Sequence, residues 1–401
     1  MPDTTSTWRV TSVLGMVQVL NWGSSYYLLA ALASAIVADT GWSLPLVVGA
    51  NSLALVMAAL IAPLVGRRIA HLGGRTVLIS SSLAMAIGLG LMGVAQNLAI
   101  YYLGWAIVGL GMGAGLYDAL FATLAQMYRE RARRPITTVT LFAGFASTVC
   151  WPLTSWLVSI SSWREAVFCY ACLHIFLSLP SIAWVLRGAS TSSVHRSGTI
   201  PQQAVTLDAK DRLFMVLLVI TLMVLGLLIA IASVHLITLL QSSGLTLVEA
   251  VAVGALIGPS QVVVRFVEII GGGRQHPVWN LLICCSAMSL AMLLWWAEFP
   301  LPALAAVLYG ISTGSYSIVR GTLPFALFGP QRYPILMGKM ARPLLIAQAI
   351  GPIAGGSMIS TFDGHATFSM LVALAALGLV LGLVLALLIL RPQEIPEQKQ
   401  K

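Results

Sequence analysis

Four polar side chains interrupt long apolar stretches of this sequence: Asp118, Gln261, Arg265 and Arg320. An ionised side chain inside a membrane costs about 2.5 to 3.5 kcal/mol or more, so such residues are functional candidates by default. A guanidinium stays protonated, and its forked donors match a carboxylate. Burial raises the pKa of a carboxyl group, which lets it take up a proton. We therefore predict anion binding at Arg265 and Arg320 and proton coupling at Asp118.

Helical periodicity groups further side chains with the two arginines, because residues three, four and seven positions apart share a helix face. Arg265 shares its face with Gln261 and Glu268, and Arg320 shares one with Tyr316. We predict that Gln261 and Tyr316 contact the substrate. Glu268 is the second candidate for proton coupling.

Asp118 shares its predicted helix face with Gly111, Ala114 and Gly115. These small residues would let a neighbouring helix or a substrate approach closely. The alternative role of Asp118 is structural, as the partner of an arginine that holds two helices together. The two roles can coincide.

The arginines have structural alternatives as well. Arg265 could pair with Glu268 or Asp118 instead of a substrate. Arg320 could extend its aliphatic stem and place its charge at the membrane surface. Lys339 and Arg342 lie close to a predicted helix end and are expected to be interfacial anchors.

A second polar pattern lies in the first apolar stretch. Asn21 and Ser25 belong to a stripe at helical spacing that begins at Gln18, and Tyr26 and Tyr27 follow it. A polar stripe on a membrane helix faces protein or a water-filled cavity. We predict that Asn21, Ser25, Tyr26 and Tyr27 line the substrate site, with hydrogen bonding between helices as the alternative.

The elements that position these residues are about a dozen apolar stretches, each near the roughly 20 residues that a helix needs to cross a bilayer. Of the 401 residues 58% are hydrophobic and 9% charged, whereas soluble domains carry about 25% charged residues. Continuous apolarity excludes a β-barrel, whose strands alternate. We predict an all-α integral membrane protein with twelve spans, at 10–38, 44–64, 76–96, 98–127, 136–159, 164–186, 213–241, 246–270, 277–297, 301–327, 334–360 and 366–390.

An even number of spans places both chain ends on one membrane face. Nearly all lysines and arginines outside the spans fall on that face, and such residues stay in the cytoplasm. We expect both termini to be cytoplasmic, the membrane to be a bacterial inner membrane and the first span to be retained. The net charge of +9 then reflects topology and attraction to anionic lipid, and we expect no nucleic-acid partner.

A polar interval at 187–212, rich in Ser, Thr and Gln, predicts a cytoplasmic linker between an N-terminal half at 1–186 and a C-terminal half at 213–401, which ends in a short cytoplasmic tail. The sequence Gly-Gly-Arg occurs at 73–75 and again at 272–274. Proline and glycine landmarks elsewhere share this offset of about 200 residues, which indicates internal duplication. The chain is therefore predicted to contain two parallel six-helix repeats.

Residues Gly66 to Arg75 run Gly-Arg-Arg-Ile-Ala-His-Leu-Gly-Gly-Arg and are similar to the loop motif between the second and third helices of the major facilitator superfamily. The resemblance covers nearly the whole chain. It implies a secondary transporter whose two halves rock around a site at the membrane midplane. It also implies gating roles for Gly66, Arg67, Gly73 and Arg75, although Ala70 stands at the motif's acidic position.

Within that superfamily the chain resembles the monocarboxylate-porter branch and its bacterial relatives. The segment 128–135, followed by Ala143 and Gly144, is similar to the branch signature that precedes helix 5. The segment from Gln261 to Arg265 is similar to a helix 8 pattern in which the arginine binds the substrate carboxylate; Gln261 stands where that pattern has an aspartate. The resemblance implies transport of a small, monocarboxylate-like organic anion together with protons.

No nucleotide-binding loop, hydrolase motif or metal-ligand spacing occurs in the sequence. We expect no enzymatic activity, no cofactor and no metal. Two other functions stay open: a proton-driven exporter of drugs or other amphipathic compounds, in which Asp118 alternates between proton and cargo, and a non-transporting receptor of transporter ancestry. The expected partners are a small anionic substrate, protons and the lipid bilayer, and the chain is expected to act as a monomer.

Overall fold

A computed structural model of the protein describes residues 4–187, 207–271 and 275–391. These residues form helices, turns and loops, and none of them lies in a strand. In chain order the α-helices are α1 Thr4–Gly23, α2 Leu28–Thr40, α3 Leu44–Leu72, α4 Gly74–Gly93, α5 Leu98–Gly115, α6 Tyr117–Tyr128, α7 Arg133–Ala143, α8 Ala146–Ile160, α9 Trp163–Leu173, α10 Leu179–Val185, α11 Ala209–Ser242, α12 Leu247–Ala255, α13 Ile257–Ile270, α14 Val278–Trp296, α15 Pro302–Thr361 and α16 Gly364–Leu390.

Within the described residues, ten helical segments are long and apolar enough to cross a membrane. One of them, α15, has 60 residues and would be about 90 Å long if straight, about three times the thickness of a hydrocarbon core. It bends at Gly329, whose φ of 70° places it in the left-handed region that favours glycine. The two parts of α15 are therefore separate crossings.

The first crossing consists of α1 and α2, which a turn at residues 24–27 separates. Together with the two parts of α15, this gives twelve crossings, as the sequence predicts. We call crossings 1 to 6 the N-terminal half and crossings 7 to 12 the C-terminal half. The membrane face at which crossing 1 begins and crossing 12 ends is called the terminal face.

Five spans that the sequence predicts as uniform α-helices contain interruptions. Crossing 1 breaks at 24–27, crossing 4 at Leu116, crossing 5 at 144–145 and crossing 8 at Leu256, and crossing 6 changes to a π-helix at His174–Ser178. Hydropathy does not detect these breaks, because each involves too few residues to lower the apolar character of a span of about 20 residues. Their consequence is that backbone carbonyl and N–H groups become available inside the membrane, where they need a partner.

The helices pack through hydrophobic clusters that follow the two halves. One buried cluster lies wholly within the C-terminal half, from Phe214 to Ala386. Crossing 11 also contributes Ala341 and Leu345 to a cluster of the N-terminal half, where crossing 2 provides Ala54 and Ala58. Small side chains let these two helices approach closely across the seam between the halves.

The exact boundaries of the halves stay a prediction. Most of the predicted linker, residues 188–206, lies outside the described residues, as do the repeat landmark at 272–274 and residues 392–401 of the predicted tail.

Candidate functional site

Asp118 and Arg320 form an ion pair across the seam. Asp118 stands in the first turn of α6, and Arg320 in the first part of α15. The Nε atom of Arg320 lies 2.9 Å from Oδ1 of Asp118, and its Nη2 atom lies 2.6 Å from Oδ2. The exposed fractions of the two side chains are 5% and 14%. This bidentate geometry fits the structural alternative for Asp118, and Arg320 does not extend to the membrane surface.

The helix face predicted for Asp118 needs correction. A methyl group at Gly111 would lie 2.5 Å from Cγ of Met85, and Gly115 contacts Ser81, so both glycines pack against α4. Asp118 instead lies near Gly113 and Gly66. The break at Leu116, which has a ψ of −167°, rotates α6 relative to α5. Residues of α5 and α6 therefore do not share the helix face that a single continuous helix would give them.

Arg265 is the second buried guanidinium of the seam, with an exposed fraction of 4%. Its Nε and Nη1 atoms are buried and have no hydrogen-bond partner among the described residues. The two carboxylates considered as its partners are both engaged elsewhere. Asp118 pairs with Arg320, and Glu268 lies 3.1 Å from Nη2 of Arg133. The structural alternative for Arg265 is therefore wrong in this conformation.

The guanidinium of Arg265 reaches across the seam to Gly144, at the break between α7 and α8. A Cβ atom at position 144 would overlap Nη1 of Arg265. The glycine thus leaves the space that the cation occupies. Arg265 also lies within electrostatic range of the Tyr27 and Tyr117 side chains.

Five aromatic side chains of crossings 1, 4 and 5 surround the break in crossing 1. We call them the aromatic wall: Trp22, Tyr26, Tyr27, Tyr117 and Trp151. Neighbouring rings have centroids 4.9 to 6.1 Å apart and meet in tilted or edge-to-face geometry. Such arrangements are the favoured ones for aromatic pairs.

The polar stripe of crossing 1 is occupied by hydrogen bonds between helices. The amide nitrogens of Gln18 and Asn21 donate to the carbonyl of Gly115, at 2.6 and 3.1 Å. Ser25 donates to the Asn21 carbonyl in its own helix. Because the break at Leu116 frees the Gly115 carbonyl, these side chains supply the donors that it needs. Asn21 and Ser25 thus have structural partners, although substrate contact was predicted for them.

The remaining predicted substrate contacts lie in the C-terminal half. The hydroxyl of Tyr316 donates to the carbonyl of Leu222 at 3.3 Å and is therefore engaged with crossing 7. Gln261 is partly exposed, and its backbone packs against Gly314 of crossing 10. Lys339 and Arg342 are exposed.

The predicted gating residues lie on the terminal side of the seam. A methyl group at Gly66 would lie 2.5 Å from the carbonyl oxygen of Pro334 and 3.1 Å from Cα of Gly338. Gly66 therefore brings crossings 2 and 11 into backbone contact. Gly73 forms the one-residue loop after α3, with a φ of 81°. Arg67 is exposed.

Arg75 contacts crossing 6 of its own half, where its Nη2 atom lies 3.4 Å from the carbonyl oxygen of Ala183. Glu268, expected near the substrate, instead lies at the terminal end of crossing 8 and pairs with Arg133 of crossing 5. The ion pairs at Glu268 and Asp118, together with the contact at Gly66, close the terminal side of the seam. Within residues 4–187, 207–271 and 275–391, no three metal-ligating side chains converge.

Sequence reasoning missed several residues of this region. Gly144 appeared only as part of a signature, and Trp22, Tyr117 and Trp151 were not singled out. Tyr117 is adjacent to Asp118 in the sequence, which is a signal that could have drawn attention to it. The contact between Gly144 and Arg265 joins two crossings from opposite halves and has no local signature.

Twelve apolar crossings in two six-helix halves, with buried charges at the seam, define a class: multi-pass membrane transporters with two parallel repeats. The chain belongs to the Major Facilitator Superfamily, whose sequence model matches residues 14–274. It is therefore an integral membrane protein of a transporter family. No curated protein sequence matches the chain.

Three solved structures show the same fold. The human organic anion transporter MFSD10 (TETRAN) is 16% identical, with a TM-score of 0.68 over 94% of this chain and 99% of that one. The proton:xylose symporter XylE is 12% identical, with a TM-score of 0.70 over 94% and 95%. The E. coli fucose:proton symporter FucP is 14% identical, with a TM-score of 0.67 over 94% and 98%.

Proposed function

We propose that this chain is a secondary transporter of a small, monocarboxylate-like organic anion and that Arg265 binds the anion. One observation carries the proposal: Arg265 is a buried guanidinium without a carboxylate among the described residues, whereas the nearby Arg320 is neutralised by Asp118. Among the described residues, Arg265 is therefore a buried guanidinium at the seam whose charge no carboxylate compensates.

The energetics favour a bound anion at this charge. Arginine does not lose its proton in proteins, so it cannot become neutral to avoid the cost of burial. Removing an ion of this size from water costs several kcal/mol even after relaxation, and a paired anion with good geometry offsets that cost. A carboxylate supplies both the charge and two acceptors for the guanidinium fork.

The alternative of a drug exporter requires a free carboxylate that can hold a cationic cargo. Asp118 was the candidate, and Arg320 occupies both of its oxygens. The engaged carboxylate and the uncompensated guanidinium together favour an anion over a cation as the cargo.

Proton coupling at Asp118 is part of the proposal. Because Asp118 and Arg320 belong to different halves, the halves cannot part on the terminal side until this pair separates. Protonation of Asp118 would remove the charge that holds Arg320. Coupling would then arise because the proton and Arg320 compete for the carboxylate of Asp118.

The branch and the membrane orientation are proposed on sequence features alone. The segment from Gln261 to Arg265 supports placement beside the monocarboxylate porters. The concentration of basic residues on the terminal face supports cytoplasmic termini. We place the protein in a bacterial inner membrane, acting as a monomer with no cofactor.

The proposal is tested by thermal unfolding of the purified chain against a panel of carboxylates, amines and neutral sugars. A ligand that binds only the folded state, present at a concentration of 100 times its Kd, stabilises that state by about 2.7 kcal/mol and raises the unfolding temperature. We expect a carboxylate to stabilise the wild-type chain and Arg265→Gln to abolish the effect.

The matched control is Arg342→Gln, which removes an exposed arginine of crossing 11 and should leave the stabilisation intact. Equal stabilisation of the Arg265→Gln variant, or stabilisation by amines alone, would contradict anion binding at Arg265.

A further inference from the structure

We propose that the anion is an aromatic carboxylate, with its carboxylate on Arg265 and its ring against the aromatic wall. This inference rests on the proposed function, because Arg265 is the anion site there. It adds the chemistry of the part of the ligand beyond its carboxylate, which the guanidinium of Arg265 does not specify.

Part of the aromatic wall lies at the seam. Tyr26 lies beside Ser233 of crossing 7. Phe121, on which Tyr117 of the wall stacks, lies against Gly321 of crossing 10. Ser233 and Gly321 belong to the C-terminal half, whereas the wall belongs to the N-terminal half. Tyr26 and Tyr117 therefore lie in the part of the wall that faces the C-terminal half.

The wall is adjacent to the cation. The guanidinium of Arg265 lies against Gly144 of crossing 5, the crossing that supplies Trp151 to the wall. The indole nitrogen of Trp151 donates to the Tyr27 carbonyl at 3.2 Å. Crossing 5 therefore holds the wall together and also carries Gly144. A molecule whose carboxylate reaches Arg265 therefore enters the seam beside the crossing that supplies Trp151 and holds Tyr27.

Some ring surface in the wall is uncovered. Trp22, Tyr26 and Tyr27 are partly exposed, and Trp151 has an exposed fraction of 44%. By contrast, Tyr117 is almost fully buried and stacks on Phe121, with centroids 5.0 Å apart and planes 13° apart. Tyr117 thus anchors the wall, while Trp22, Tyr26 and Tyr27 offer faces and edges to a ligand.

This arrangement selects for aromatic acids. An anion of two or three carbons would leave the rings uncovered, whereas an aryl ring joins them at the centroid distances of about 4.5 to 7 Å that aromatic pairs favour. A saturated ring of the same size gains the apolar contact but lacks the quadrupole. An aryl carboxylate should therefore bind more tightly than its saturated counterpart, by about threefold to tenfold.

The test measures Kd by calorimetry on the purified full-length chain with three probes: benzoate, cyclohexanecarboxylate and acetate. We expect benzoate to bind most tightly and acetate most weakly. Tyr27→Leu should remove the advantage of benzoate over cyclohexanecarboxylate, and a midpoint of thermal unfolding near that of the wild-type chain shows that the variant is folded. Trp22→Leu is a second variant with the same expectation.

The matched control is Trp296→Leu, which removes an aromatic ring of crossing 9 that hydrogen-bonds Ser369 of crossing 12, away from the seam. It should preserve the benzoate advantage. Equal Kd values for benzoate and cyclohexanecarboxylate in the wild-type chain would overturn the aromatic inference while leaving Arg265-dependent anion binding in place. Absence of binding by all three probes would overturn both.

Discussion

Arg265 and Arg320 are both buried arginines at the seam, and their partners separate their roles. Arg320 has two short hydrogen bonds to one carboxylate, so its charge is satisfied within the protein. Arg265 has buried nitrogens that no described residue accepts from. The first arginine joins the two halves through its ion pair, and we propose that the second binds the substrate anion.

Gly144 lies against the Arg265 guanidinium, and Gly144→Ala tests whether this glycine positions the cation. The added methyl group would overlap Nη1 of Arg265. Because the end of a flexible side chain can move, we expect the fold to survive and the guanidinium to shift. Anion binding should weaken by about tenfold, or about 1.4 kcal/mol.

Calorimetric Kd values, together with the midpoint of thermal unfolding, provide the measurement. Gly258→Ala on crossing 8 is the control, because nothing lies within 4 Å of its added methyl group. A Gly144→Ala variant that binds carboxylates as tightly as the wild-type chain would show that this glycine does not position Arg265.

At the residue scale the sequence could identify the charged groups but not their partners. Asp118, Arg265 and Arg320 stand out because they are ionisable within apolar stretches. Asp118 and Arg320 are separated by 202 positions in the chain. Helical periodicity only relates residues a few positions apart, so it could group Glu268 with Arg265 but could not show that Arg133 pairs with Glu268.

At the scale of elements, glycines at the seam set how closely the halves approach. Gly66 and Gly338 face each other where crossings 2 and 11 meet, and a methyl group at Gly338 would lie 2.5 Å from the carbonyl oxygen of Ala62. The opposing atoms belong to backbone, which cannot move aside as a side chain can. Closure of the terminal side therefore requires glycine at both positions.

We expect Gly338→Ala to force crossings 2 and 11 apart and to shift the chain toward a state that is open on the terminal side. The distance between spin labels at the exposed positions 67 and 339 should lengthen. Pulsed electron paramagnetic resonance measures it in a chain without native cysteines. Gly90→Ala is the control, since its added methyl group meets open space. An unchanged distance distribution in Gly338→Ala would argue against a closing role for this contact.

Hydropathy predicts where the crossings lie but not where they break. Twelve spans follow from apolar length alone, since a helix needs about 20 apolar residues to cross the membrane. The break at Leu116 and the bend at Gly329 depend on backbone dihedral angles. Local composition at Leu116 is that of an ordinary membrane helix, so only tertiary contacts such as those of Gln18 and Asn21 reveal the break.

For the whole molecule, the ion pair between Asp118 and Arg320 joins the two halves on the terminal side. Loss of one partner from a buried pair leaves an uncompensated charge and costs about 3 to 5 kcal/mol. Asp118→Asn should therefore disfavour the conformation closed on the terminal side. It also removes the carboxyl group through which a proton gradient would act.

We expect Asp118→Asn to lose proton-driven accumulation of carboxylate in proteoliposomes. The double variant Asp118→Asn with Arg320→Gln replaces the ion pair by two neutral side chains. It should exchange carboxylate across the membrane and still fail to accumulate carboxylate against a gradient. Accumulation at the wild-type level in either variant would exclude Asp118 as the coupling residue.

The most direct test of anion transport through Arg265 is counterflow in proteoliposomes, which follows labelled benzoate as it exchanges for unlabelled benzoate inside. No proton gradient is applied, so coupling does not affect the outcome. We predict rapid counterflow by the wild-type chain and by Arg342→Gln, none by Arg265→Gln, and none of the neutral benzamide by any variant. Counterflow of benzoate by Arg265→Gln at the wild-type rate would contradict anion transport through Arg265, whereas its absence in the wild-type chain, with counterflow of a smaller carboxylate intact, would contradict only the aromatic substrate.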